Sequence, residues 1–248
     1  MMSINLSYPT LNLIANYFGA SQTLMSQIST HIGTQYENGQ FTKGAKAAFS
    51  SLPNSINNGT TISGIDLPVM LSDNVDAPKK TVLILGQDPL RDPHDLMLPS
   101  GYNAATEVVF GLPYAVQFGK KYKGVKLYHL MFEDIIRASK SVYLTDAYKF
   151  WIKVGRKTKS VKQLAVQLLQ NEINSVKPDS ILLWGKSANA MFTKFHLRTN
   201  ANIVSMPHPS GAANGEWKKV LSGAYSAGSK ATFDNKIKYF IGNILPQL

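Results

Sequence analysis

The chain has 248 residues, 44% of them hydrophobic and 17% charged, with a formal net charge of +11. This balance suits a globule with a real core, built as one large domain or one domain with an extension. The lack of cysteine excludes disulfides, thiol catalysis and Cys-based metal sites, and no apolar run approaches the roughly 18 residues of a membrane-spanning helix. The start, Met1 to Phe18, has neither a basic cluster nor a continuous apolar stretch. No signal peptide is expected, and the expected location is the cytoplasm.

The charge is uneven. Residues 1–78 hold two Lys and four acids, a balance of −2, which leaves +13 on residues 79–248. A surface of that sign favours a polyanionic partner, nucleic acid being the commonest soluble case. A Lys-rich solubilising surface is the plain alternative, and the runs Lys120-Lys121-x-Lys123 and Lys149 to Lys162 are open to both readings.

Residues 1–32 place apolar side chains in a loosely helical order (Leu11, Leu13, Ile14, Tyr17, Phe18, Leu24, Ile28). Residues 34–78 are rich in Gly, Asn, Ser and Thr, with a turn expected at Asn57-Asn58-Gly59. Residues 1–78 therefore read as helices and long loops packed on a main domain of residues 79–248, with one single domain as the other possibility. Thr81–Leu85 is short, apolar and β-branched and stops at Gly86, the pattern of a buried strand and a tight turn. Ser141–Thr145 repeats the pattern and ends at Asp146. A helix is expected from Ser160, its N-cap, to Val176, with Val161, Leu164, Leu168 and Ile173 near one face. Ser180–Trp184 reads as a third strand closed by Gly185, Lys186–Phe195 as a helix, Ala201–Met206 as a fourth strand, and Asp234–Leu245 as a helix.

Short buried strands separated by helices predict an α/β fold with a mainly parallel sheet and helices on both faces. Ligands bind such sheets beyond the carboxyl ends of the strands. The polar residues at those ends are Gln87 and Asp88, Asp146, and His208 and Ser210. Their convergence at one sheet edge is expected from the pattern alone.

In order, the chain carries Gly86-Gln87-Asp88-Pro89, Gly111-Leu112-Pro113-Tyr114, Tyr143-Leu144-Thr145-Asp146, Leu182-Leu183-Trp184-Gly185 and His208-Pro209-Ser210-Gly211. This series resembles the uracil-DNA glycosylase superfamily over roughly residues 81–217. The resemblance implies a three-layer α/β/α sandwich around a short, mainly parallel sheet. It implies hydrolysis of an N-glycosidic bond in DNA, with no metal and no organic cofactor. Breaking that bond leaves positive charge on the sugar and negative charge on the departing base. By resemblance, Asp88 positions water and stabilises the sugar, and His208 donates to base O2 as a neutral imidazole. Tyr114 stands where the family usually has Phe, as a platform for the flipped base. Gln87 is expected at the base through its backbone, Asp146 at its edge, and Ser210 at a DNA phosphate.

Three positions depart from the family pattern. Asp146 stands where the base reader is usually Asn. An ionised Asp offers acceptors only, whereas a protonated one mimics Asn or reads a cytosine edge. Leu90 and Arg91 replace Tyr-His, which leaves exclusion of a 5-substituent in doubt and makes Arg91 a candidate phosphate ligand. Ala212 falls where a bulky residue often fills the gap of the flipped base, and Trp217 is the candidate substitute. The expected partner is therefore single-stranded or mismatched DNA, and the expected state is a monomer. Two alternatives stay open: a fold-sharing nucleic-acid-binding protein without catalysis, and a hydrolase or transferase of free nucleosides.

Overall fold

The computed structural model describes residues 2–5, 8–18, 21–23, 25–27, 30, 47–49, 62–73, 80–87, 108–117, 126–152, 159–226 and 228–248. Along the chain these form β1 (Met2–Asn5), α1 (Tyr8–Phe18), β2 (Ala47–Phe49), β3 (Ile62–Asp66), β4 (Val69–Asp73), β5 (Lys80–Gly86) and β6 (Val108–Gly111). Then come the single turn α2 (Tyr114–Gln117), α3 (Lys126–Arg137), β7 (Lys140–Asp146), β8 (Phe150–Ile152), α4 (Lys159–Val176), β9 (Ser180–Trp184), α5 (Gly185–Lys194), β10 (Asn202–Met206), α6 (Asn214–Ala224) and α7 (Phe233–Tyr239).

The main sheet has the order β1-β4-β7-β5-β9-β10. The four strands from β7 to β10 run parallel, and β4 and β1 add antiparallel pairings at one edge. The expected α/β fold with a mainly parallel central sheet is the observed one. Parallel strands must be covered on both faces, and period-two alternation divides their side chains accordingly. Leu83, Leu85, Tyr143, Ile181 and Leu183 pack with Leu169 and Ile173 of α4. Val82, Ile84, Val142, Leu144, Leu182 and Trp184 belong to the larger core, which includes Met131, Phe132 and Ile135 of α3 and Trp217 and Leu221 of α6. Each fully buried aliphatic or aromatic side chain contributes about 1.5–3 kcal/mol, so this core supplies most of the drive to fold.

The N-terminal segment differs from the expectation of helices and loops. It supplies β1 and β4 to the main sheet and β2 and β3 to a second, four-stranded sheet of order β2-β6-β3-β8. The boundary after residue 78 thus cuts through the main sheet. Its strands were hard to read because they are three to five residues long and mix Gly, Ser and Asp with apolar residues. The helical reading holds in part, since Leu11, Ile14 and Ala15 enter the main core. Asn57-Asn58-Gly59, Leu24 and Ile28 lie outside the described residues. At the C-terminus the single expected helix is broken: α7 continues as a π-helical turn over Phe240–Ile244 and a 3-10 turn over Leu245–Gln247, with Pro246 at the junction.

The second sheet matters because it holds the approach to Tyr114. Leu67 N–H donates to Gly111 O at 2.8 Å, and Asp66 N–H to Lys149 O at 2.9 Å. The Trp151 indole, 4% exposed, donates to Asp66 Oδ1 at 3.0 Å.

Candidate active site

A cavity of about 410 Å³ opens at the carboxyl ends of β5, β7, β9 and β10. That is near the lower end of the roughly 300–1,000 Å³ of small-molecule sites. Gln87, Tyr114, Asp146, His208, Ser210 and Ala212 all line it. Of the strand-end residues expected to converge, Gln87, Asp146, His208 and Ser210 therefore meet at one cavity. Asp88, Leu90 and Arg91 lie outside the described residues, as do Lys120, Lys121 and Lys123.

Parallel register sets Gly86 opposite Asp146. A Cβ on residue 86 would run into Asp146 Oδ1, so only glycine lets the carboxylate lie across the end of β5. Ala147 N–H donates to Gly86 O at 3.0 Å and Tyr148 N–H to Gln87 O at 3.1 Å. These two bonds clamp the Gly-Gln turn to the end of β7. Asp146 is 8% exposed and faces the cavity.

Beneath Asp146 lies a polar cluster that the sequence reading missed. Lys149 Nζ donates to Asp146 O at 2.7 Å and to Thr145 Oγ1 at 2.7 Å, and pairs with Glu172 Oε2 at 2.6 Å. The Tyr143 hydroxyl donates to Glu172 Oε1 at 3.2 Å. Lys149 and Glu172 are both buried. Burial pushes the Glu172 carboxyl above its usual range, and the Lys149 charge opposes that rise. Lys149 is thereby removed from the basic surface to which it was assigned. Period-two alternation explains the split: Tyr143 and Thr145 point to Glu172, while Leu144 and Asp146 point to the cavity.

His208 sits on the loop after β10, half-buried against Gly185. Gly185 takes φ +81° and approaches so closely that a Cβ would lie 3.0 Å from His208 Cβ. Ser210 N–H donates to His208 Nδ1 at 3.2 Å, and the Ser210 hydroxyl lies 2.8 Å from the same nitrogen. A backbone N–H can only donate, so Nδ1 is the acceptor and the neutral ring carries its proton on Nε2. Burial lowers the His208 pKa, the Lys236 cation lowers it further, and Glu216 opposes both. Lys236 is buried and donates to Asn214 Oδ1 at 2.8 Å and Pro209 O at 3.4 Å, so its charge is fixed behind the His208 loop. The site therefore holds a neutral imidazole with a defined tautomer.

Ser210, the residue expected at a phosphate, lines the cavity, where its hydroxyl and N–H both meet His208 Nδ1. The expectation for Trp217 is corrected. Its side chain is fully buried, its indole donates to His208 O at 2.8 Å, and Lys236 Nζ lies 5.5 Å from its ring centroid. Trp217 and Leu221, one helical turn apart, form the inward face of α6. The indole braces the loop and is not a wedge or stacking surface for DNA. Ala212 is exposed at the rim, and Tyr114 is half-buried, edge-on to Tyr128 at 6.2 Å.

The family model of the uracil DNA glycosylase superfamily matches residues 73–224, well over half of the chain. The chain belongs to the uracil DNA glycosylase superfamily. No curated protein matches it. The match spans β5 to α6 and thus every element that lines the cavity. At family level this supports a glycosylase-type hydrolase, and the family fold suggests DNA as its substrate. Among the described residues, no group of three or more His, Asp or Glu is arranged to hold a metal ion, and no helix is long and apolar enough to cross a membrane.

Proposed function

We propose that the protein hydrolyses the N-glycosidic bond of uracil or a related damaged pyrimidine in DNA. The observation that carries this reading is the neutral His208, whose Nδ1 is occupied by Ser210 N–H and whose Nε2–H is left for a ligand. A neutral donor suits a leaving base that becomes anionic, because it stabilises the developing charge without first having to lose a proton. Asp88 positions the water and stabilises the sugar cation, and Tyr114 supports the extruded base. Asp146 reads the base edge, a role supported by its place across Gly86 on the cavity wall. Gln87 meets the base through its backbone. Arg91 and the surface lysines bind the phosphate backbone, and the protein works as a monomer on single-stranded or mismatched DNA without a cofactor.

Base release from single-stranded and G-mismatched uracil oligonucleotides tests the proposal. Wild type should convert the oligonucleotide to an abasic product, and Asp88→Ala and His208→Ala should each slow it by about 10²-fold or more. Equal trace release by all three proteins on every lesion would falsify the reading.

Asp146 in place of Asn and the small Ala212 at the rim favour one second reading, a DNA-binding protein with little or no turnover. Tight, salt-sensitive binding that Asp88→Asn leaves unchanged, with no base released, would decide for it.

A further inference from the structure

Tyr128 projects from α3 into the middle of the site, and the family series used to recognise the chain does not include it. It is 2% exposed and lines the cavity. Its ring meets Tyr114, Trp184 and His208 edge-on, at 6.2, 5.2 and 5.9 Å between centroids. All three of those residues line the same cavity.

Among the described residues the hydroxyl has no hydrogen-bond partner. The Ser210 side chain lies close enough to favour the ionised phenol, but the pair is not in hydrogen-bonding geometry. Burial and the neighbouring Tyr114 and Asp146 raise the phenol pKa, so the oxygen keeps its proton as a donor. The groups that its hydroxyl senses, Tyr114, Asp146 and Ser210, are all cavity residues. The hydroxyl end of the ring is therefore the end near Tyr114, Asp146 and Ser210. A buried hydroxyl without a partner costs free energy, and such groups are rare in folded cores. Its place beside a second protonated donor gives it a ligand to serve.

We propose that Tyr128 is a catalytic residue whose hydroxyl donates to the same base carbonyl oxygen, O2, as His208 Nε2–H. O2 has two lone pairs, and both gain charge as the glycosidic bond breaks. Two fixed donors then form an oxyanion site for the departing base. Asp146 is left to accept from N3–H, beside the two donors at O2. No proton changes owner at Tyr128: it donates a hydrogen bond throughout. The inference rests on the glycosidase reading above.

Tyr128→Phe removes one oxygen and keeps the ring. We expect an unchanged or higher Tm, since no bond is lost, with kcat down about tenfold to 10³-fold and KM nearly unchanged. The deficit should shrink on oligonucleotides carrying 2-thiouracil, whose sulfur is a poor acceptor, and persist on 4-thiouracil. Free uracil binding, read by isothermal titration calorimetry, separates this inference from the reading beneath it. Weaker binding by Y128F in a protein that cleaves nothing supports the contact while the glycosidase reading fails. Wild-type kcat and wild-type uracil affinity in Y128F overturn the proposal. So does an equal deficit on uracil and 2-thiouracil, which would mark a structural role.

Discussion

On one face of β7, Tyr143 and Thr145 reach Glu172, as does Lys149 just beyond the strand, and every one of these polar groups is bonded and buried. On the other face, the Tyr128 hydroxyl and the Trp184 indole nitrogen are also buried and have no partner among the described residues. The two regions are built on the same sheet. The first is closed: its donors and acceptors serve each other and hold the Asp146 carbonyl. The second is open: its polar groups are held ready for atoms that the protein does not contain. A folded chain tolerates the second kind of region only where a ligand or water completes it.

Several variants would break or sharpen that contrast. The largest effect is expected from Lys149→Ala, which leaves the Glu172 carboxylate buried and unpaired. It should destabilise the fold by about 3–5 kcal/mol in urea melts. A loss under about 1 kcal/mol would show that the cluster is not a closed network. Tyr143→Phe should come next, at about 1.5–3 kcal/mol, because it removes a bond to a charged group. Set beside Tyr128→Phe, which should cost nothing, it compares the two faces with the same chemical change. Gly86→Ala forces the Asp146 carboxylate aside, at about 1–3 kcal/mol. Its base release should fall further than its stability explains.

The His208 pKa provides a pH test. The folded imidazole holds its proton less tightly than the usual 6.5. Between the folded value and 6.5 the unfolded chain binds more protons. The stability associated with neutral His208 is therefore full above pH 6.5 and is lost as pH falls through the folded value. The acid limb of kcat should likewise lie below 6.5. Lys236→Met removes the nearby cation and should move that limb upward; an unmoved limb would show that Lys236 only braces the loop. The smallest effect is expected at the rim, where Lys186 Nζ meets Glu216 at 3.2 Å. Lys186→Ala should change stability by less than about 1 kcal/mol, because the lysine is largely exposed.

Much of the frame was legible from residue order. The strands at Thr81–Leu85, Ser141–Thr145 and Ser180–Trp184 are short apolar runs closed by turn residues, and they appear as β5, β7 and β9 with ends shifted by at most a residue. The helix expected from Ser160 begins at Lys159, so Ser160 lies in its first turn. By contrast, α3 was missed although Leu127, Met131 and Ile135 recur at helical spacing, and Tyr128 was missed with it. The N-terminal strands were beyond reading for a different reason. They are stabilised by pairing with β6, β7 and β8, which are distant in sequence, and not by a local pattern.

By itself the sequence determined the fold class, the family and the polar strand ends that meet at the cavity, because period, turn residues and motif order are local properties. Only the tertiary structure decided which buried groups are satisfied. It turned Lys149 and Trp217 inward, set the His208 proton on Nε2 and left the Tyr128 hydroxyl without a partner among the described residues. The physical reason is that burial and hydrogen bonding depend on what lies across the sheet, and that is set by contacts between residues far apart in the chain.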